Sequence, residues 1–248
     1  MGSLYVVSDV HGHCVDLESA LTRAGLIDES RRWCGGDSEL WILGDLTDRG
    51  PDGIGVVDLV MALQKQAPDR VRVLMGNHDV LGLGTKRFAS RRFKESFKIN
   101  GGRAADLEAL TESHLSWVAD LPVIGRVGDY LMVHSDTVAY LGWGTSVDEI
   151  NSTIAEQLRD GGEEEHWDIF ARLTSRYHFA RHGGTELARE MLSILGGECI
   201  VHGHSIIGSL TKRPSVDVEG PMLYADGLVL AVDGGRYDGG PLLVVRLD

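Results

Sequence analysis

The sequence predicts an α/β fold, and three observations carry the prediction. Short apolar runs, Leu4-Tyr5-Val6-Val7, Leu40-Trp41-Ile42-Leu43 and Val71-Arg72-Val73-Leu74-Met75, have the length of buried strands. They alternate with stretches whose apolar residues recur at helical spacing. Each run also ends in a polar cluster holding Asp, His or Asn, and α/β proteins place their chemistry at the carboxyl ends of sheet strands.

The chain of 248 residues is long enough for one well-buried domain covering 1–248. A formal net charge of −13 argues against a nonspecific nucleic-acid binder or a membrane-surface protein. Three cysteines, Cys14, Cys34 and Cys199, form no C-x-x-C pair, so neither a disulfide framework nor a zinc knuckle is expected and a reducing cytoplasm is the default. The start shows no basic segment followed by a long apolar one, as a signal peptide would, and no apolar run approaches the ~20 residues of a membrane helix.

The first strand leads into Ser8-Asp9-Val10-His11-Gly12, where an Asp and a His two apart offer one oxygen and one nitrogen to a metal. A helix over 16–24 follows, with Leu17, Ala20, Leu21 and Ala24 on one face. The second strand opens into Gly44-Asp45-Leu46-Thr47-Asp48-Arg49-Gly50. Here a carboxylate can bridge two cations, and Arg49 can hold an anion bidentately. A helix is predicted over 51–66, and the third strand ends in a polar loop, Gly76-Asn77-His78-Asp79.

The basic run from 86 to 98 interleaves Lys86, Arg87, Arg91, Arg92, Lys94 and Lys98 with Phe88, Phe93 and Phe97. It reads as an amphipathic helix with a solvated basic face, or as a cationic rim that draws an anionic substrate into a negative protein. One helix is expected over 106–119. A hairpin turning at Gly128-Asp129 follows and ends in His134-Ser135-Asp136. From 142 to 197 the chain reads as mostly helical and polar; it then reaches His202-Gly203-His204-Ser205. Antiparallel strands over 222–225, 228–232 and 242–247 surround Asp233-Gly234-Gly235.

Mixed nitrogen and oxygen donors suit first-row metals such as Mn, Fe, Co, Ni or Zn better than calcium. One carboxylate shared between two subsites describes a two-metal centre, which acidifies a water and clamps phosphoryl oxygens for in-line displacement.

The order and spacing of these clusters resemble the calcineurin-like metallophosphoesterases, and within them the phosphoprotein-phosphatase branch. That branch's pattern is G-D-x-H-G, G-D-x-x-D-R-G, G-N-H-E, a lone histidine and a late histidine. Here it stands as Ser8 to Gly12, Gly44 to Gly50, Gly76 to Asp79, His134 and Gly203-His204-Ser205. The similarity is greatest to compact bacterial members: serine/threonine phosphatases and symmetrical dinucleoside-tetraphosphate hydrolases.

The resemblance implies a sandwich of two mixed β-sheets flanked by helices, with the 142–197 segment over the site. It implies that Asp9 and His11 bind one metal, Asp45 bridges, and Asn77, His134 and His204 complete the second, with manganese the first candidate. His78 would be the general acid, oriented by Asp48. Arg49 would hold the phosphate, and Arg176 is the candidate second arginine, with Arg172 in reserve. The substrate would be a phosphorylated protein or a phosphorylated small molecule or nucleotide, and the oligomeric state stays open. A binding module that keeps the fold without metals or catalysis is the remaining alternative, against which the intact ligand set argues. Ser8 replaces a glycine, Asp79 a glutamate, and Asp136 adds a charge that could tune the metal or disfavour a crowded phosphoprotein. His202 is left as a support to the metal ligands or as structural.

Overall fold

The computed structural model describes residues 2–247. Strands β1 (Leu4–Val7), β2 (Glu39–Ile42) and β3 (Val71–Val73) pair in parallel in the order β3-β2-β1. They are joined by α1 (Cys14–Arg23) and α2 (Gly53–Gln66), which starts where the Asp52 carboxylate accepts the Gly55 amide at 2.8 Å. This is the alternation that short apolar runs and helical stretches predict.

The second sheet holds β4 (Ile124–Val127), β5 (Tyr130–Val133), β6 (Cys199–His202), β7 (Met222–Tyr224) and β8 (Val229–Ala231) in the order β4-β5-β6-β8-β7. Here β5, β6 and β8 run parallel while β4 and β7 are antiparallel at the edges. A last strand, β9 (Val245–Arg246), closes the first sheet antiparallel to β1. Both sheets are therefore mixed.

Alternation along the strands shows how the sheets meet. Val6, Trp41, Met132 and Val201 share one buried cluster, to which both sheets contribute. Their neighbours Val7, Ile42, Leu131, Val133 and Ile200 point the other way, into a larger core with Leu17, Val57 and Val60 of the helices. Strands buried on both faces read as continuous apolar runs, which is why they are visible in the sequence.

Among the described residues the remaining α-helices are α3 (Asn77–Phe88), α4 (Arg91–Ile99), α5 (Ala104–Ala109), α6 (Glu112–Ala119), α7 (Val147–Asp160), α8 (Glu163–Thr174), α9 (Gly184–Leu195) and α10 (Ile207–Thr211). Several local expectations are corrected. Gly76 to Asp79 is not a loop: it opens α3, so Asn77 and His78 sit on a first helical turn. The basic run divides where Ala89 turns left-handed at φ 50° and Ser90 caps α4. The expected 106–119 helix breaks at Leu110, and Thr111 starts a second helix by accepting the His114 amide at 3.3 Å. Of 242–247 only Val245 and Arg246 pair, and they join the first sheet rather than the second.

In the basic run, the guanidinium of Arg87 caps the carboxyl end of α7 at the Arg159 carbonyl, 2.9 Å away. Arg92 forks onto Glu164 at 2.7 and 3.1 Å and lies over the Trp167 ring. These two arginines join α3 and α4 to the helices beyond them. Among the described residues, no helix is long and apolar enough to cross a membrane.

Candidate metal centre

Because three adjacent strands of each sheet run parallel, each sheet gathers its strand ends on one side. Asp9 follows β1, Asp45 follows β2, Asn77 follows β3, His134 follows β5 and His204 follows β6. The two sets meet: the His204 amide donates to Asp9 Oδ2 at 2.7 Å, and Asn77 Oδ1 lies 2.9 Å from His134 Nε2. Glycine permits this approach. A Cβ on Gly203 would sit 2.2 Å from Asp9 Oδ2, and one on Gly76 would sit 2.3 Å from Asp45 Oδ1.

The backbone at these strand ends is strained. Asp9, His11, Asp45, Asp48, Arg49 and His204 all hold positive φ, between 45° and 72°. Such conformations cost non-glycine residues energy and persist where surrounding structure enforces them, as at ligand sites. Enforcement comes from Asp79, whose carboxylate accepts the amides of Gly76 (2.8 Å), Asp45 (2.9 Å) and Leu46 (3.1 Å). Asp106 does the same for the next turn, accepting the Gly53 and Asp48 amides at 3.3 and 3.4 Å.

Each imidazole is fixed by its outer nitrogen. Nδ1 of His11 contacts the Thr47 carbonyl at 3.0 Å, Nδ1 of His134 the Leu43 carbonyl at 2.7 Å, and Nε2 of His204 the Thr174 carbonyl at 3.1 Å. A carbonyl can only accept, so the other ring nitrogen of each neutral histidine presents a lone pair inwards. His134 Nε2 and Asn77 Oδ1 thus face each other as two acceptors, an arrangement a cation resolves.

Donor atoms of Asp9, Asp45, His134 and His204 all lie within 4.8 Å of one another, as do those of His11, Asp45 and His78. Asp45 belongs to both groups. His11 Nε2 is 3.5 Å from Asp45 Oδ2 and 3.9 Å from Asp9 Oδ1. His78 differs from the others, because its Nδ1 meets a carboxylate, Asp48 Oδ2, at 2.8 Å, and its Nε2 meets Arg49 Nη2 at 3.0 Å. Both nitrogens are engaged, so His78 is not free to ligate.

Electrostatics agree with a cation site. Burial, with the nearby His78 and Arg49, pushes His11 well below the ordinary histidine pKa; burial, His134 and Arg176 do the same to His204. Both rings are therefore held neutral, as ligands must be. Burial pushes Asp45 up to about 8, with Asp9 and Asp79 adding to the rise, and raises Asp79 and Asp233 as well. Asp233 follows β8, and its Oδ2 is buried without a hydrogen-bond partner. Crowded carboxylates and neutral imidazoles around one point fit divalent cations and little else.

The sequence profile of the calcineurin-like phosphoesterases matches residues 2–208. The chain belongs to this family. It is 30% identical over 100 residues to Shewanella-like protein phosphatase 2 of Arabidopsis thaliana, a match covering 39% of this chain and 26% of that one. It is 36% identical over 78 residues to a symmetrical bis(5'-nucleosyl)-tetraphosphatase of Buchnera aphidicola subsp. Acyrthosiphon pisum, covering 32% and 24% respectively. The chain thus spans about a quarter of the length of these two curated relatives. Among solved structures, a cold-active protein tyrosine phosphatase of a Shewanella species superposes with TM-score 0.75 at 21% identity, over 100% of this chain and 76% of the other. A putative diadenosine tetraphosphatase superposes at 0.54 with 20% identity, over 99% and 93%. These two likenesses concern the fold.

Of the two candidates for a second arginine, Arg172 lies in the last turn of α8 and Arg176 between α8 and α9. Arg172 is paired with Asp168 at 2.9 Å and lies near the Trp143 ring. Arg176 instead lies close enough to His204 for its charge to press on the imidazole. Asp136 is fully buried, and its carboxylate accepts from Ser205 Oγ and the Tyr177 amide, at 2.5 and 2.8 Å. His202 bridges the Gly203 carbonyl and the Tyr224 hydroxyl inside the sheet. The Ser8 hydroxyl donates to Asp9 Oδ2, giving that carboxylate a partner a glycine could not provide.

Sequence reasoning missed Tyr237. Its ring packs under the Arg49 guanidinium, 3.8 Å from centroid to Cζ, and edge-on to His11 at 5.2 Å. The glycine-rich tail around it was a visible signal; the contact with Arg49 was not.

Proposed function

We propose that this calcineurin-like phosphoesterase is a metal-dependent hydrolase of phosphomonoesters, with phosphoserine and phosphothreonine proteins as its first substrate class. The observation that carries the reading is the pairing of a histidine–asparagine–carboxylate cluster, its ring nitrogens aimed inwards, with Arg49, His78 and Asp48 at its edge.

Asp9, His11 and Asp45 would hold one cation, and Asp45, Asn77, His134 and His204 the second, with manganese as our first choice. Bound divalent cations acidify water and neutralise charge on phosphoryl oxygens. The chain's own groups do the rest. Arg49 offers a planar fork to the phosphate, and Arg176 adds a second positive charge. His78, held at Nδ1 by Asp48, takes up a proton from solvent at Nε2 once Arg49 has turned to the phosphate, and passes that proton to the departing oxygen. Asp48 is itself fixed by the Arg103 amide, 3.2 Å from Oδ1, and so keeps the ring aimed while it changes charge.

The reading treats 1–248 as one catalytic domain and, given the odd number of cysteines, places it in the cytoplasm. Hydrolysis of a dinucleoside polyphosphate is the second reading, favoured by the 36% identity to a tetraphosphatase over the matched stretch. A panel of phosphoserine, phosphothreonine and phosphotyrosine peptides run beside dinucleoside tetraphosphates with Mn²⁺ tests the choice. The first reading expects peptide turnover to dominate; turnover of dinucleotides alone selects the second.

A further inference from the structure

Asp136 serves neither the metal cluster nor the solvent. Its backbone carbonyl accepts the His178 amide at 3.0 Å, its Oδ2 accepts the Tyr177 amide at 2.8 Å, and its Oδ1 accepts from Ser205 Oγ. The ring of His178 adds to the joint, accepting the Val138 amide at Nδ1 over 3.3 Å. One buried carboxylate therefore ties together three segments: the loop after His134, the loop after His204, and the strap between α8 and α9.

The strap is held at two points. Upstream, the Thr174 carbonyl meets His204 Nε2 at 3.1 Å; downstream, Asp136 holds Tyr177 in a left-handed conformation with φ 66°. Only Ser175 and Arg176 lie between. Among the described residues no hydrogen bond or ion pair engages the Arg176 guanidinium, and its backbone lies two residues from the Thr174 carbonyl that meets His204. A cation on a two-residue span is aimed by the ends of that span, because short chain segments have little freedom to redirect a side chain. We infer that Asp136 is a positioning residue that sets Arg176 over the metal cluster and so determines how firmly a substrate phosphate is held. The inference rests on the reading of Arg176 as a phosphate ligand.

The experiment is a double-mutant cycle on p-nitrophenyl phosphate with Mn²⁺, using Asp136→Ala, Arg176→Ala and the pair, with amide exchange at Tyr177 as a readout independent of turnover. Each single change should raise KM about tenfold, the size of one charge-assisted hydrogen bond, and leave kcat little altered. The pair should be no worse than Arg176→Ala alone. Asp136→Asn can still accept from Tyr177 and donate to Ser205, so it should restore KM and keep the Tyr177 amide protected, whereas Asp136→Ala should expose it.

Multiplying effects in the pair, or an unchanged KM in Asp136→Ala beside a weakened Arg176→Ala, would overturn the positioning role. So would loss of Mn²⁺ affinity in Asp136→Ala matching its loss of activity. An unaltered KM in Arg176→Ala would remove the arginine from phosphate binding, and no turnover by the native chain would remove the phosphoesterase reading itself; either result takes the inference with it.

Discussion

Nη2 of Arg49 stands 3.0 Å from Nε2 of His78, while Asp48 occupies the opposite nitrogen of the same ring at 2.8 Å. A guanidinium has only donors, so Nε2 must accept and the ring proton must sit on Nδ1, facing Asp48. In this arrangement His78 has no proton to give on its inner face. The arginine proposed to recruit phosphate covers the proposed acid, so the arrival of a dianion would engage the first and free Nε2 of the second to take up from solvent the proton it passes on.

His78→Asn should therefore lower kcat by about 10²–10⁴ with KM nearly unchanged, as the loss of a general acid does. Arg49→Ala should raise KM as well as lower kcat, because it removes a contact made to the bound ester before the reaction. Steady-state kinetics on p-nitrophenyl phosphate separates the two patterns.

Tyr237→Ala should raise KM severalfold, since the ring that packs against the guanidinium is worth about 0.5–2 kcal/mol as a cation–π partner. Tyr237→Phe keeps the ring face and should stay within about twofold of the native value. If both substitutions behave alike, the hydroxyl rather than the ring face is what Arg49 uses.

Asp79→Ala strands the amides of Gly76, Asp45 and Leu46 in a buried loop. Unsatisfied buried donors cost roughly 1–3 kcal/mol each, so the urea midpoint should fall. Mn²⁺ affinity should fall with it, because these amides hold Asp45 in place. Unchanged affinity measured by calorimetry would assign Asp79 to the fold alone.

The carboxylates also set a pH dependence. Burial pushes Asp45 up to about 8 and raises Asp233, whereas unfolded Asp titrates at about 3.9. Their contribution to stability is fully present below the unfolded value and is lost as pH rises through the folded one. His11 and His204 are shifted down, so their effect lies below about pH 6.5, where stability falls as pH falls. Between about pH 6.5 and 8 only the carboxylate trend acts. The metal-free chain should lose stability across that window in urea titrations. Saturating Mn²⁺ should abolish the loss and release protons on binding.

Much of the candidate centre was legible because ligands end strands, and strands buried on both faces announce themselves as apolar runs. Asp9, Asp45, Asn77 and His134 each follow such a run within two residues. Residues that act through tertiary contact left no such mark. Asp106 reads as an ordinary helical residue, yet it holds the Asp48 turn from 58 positions away. Asp136 reads as a stray charge near the metal, and only the fold reveals that its oxygens are spent on Ser205 and Tyr177. The breaks at Ala89 and Leu110 did have local signals, the caps Ser90 and Thr111, which the continuing apolar spacing on either side obscured.

The central claim, metal-dependent phosphomonoester hydrolysis at this cluster, is tested most directly by offering p-nitrophenyl phosphate and bis-p-nitrophenyl phosphate side by side with Mn²⁺ and then with chelator. The account predicts monoester cleavage that stops on chelation and returns with Mn²⁺. Cleavage of the diester alone, monoester cleavage indifferent to chelator, or no cleavage of either would contradict it.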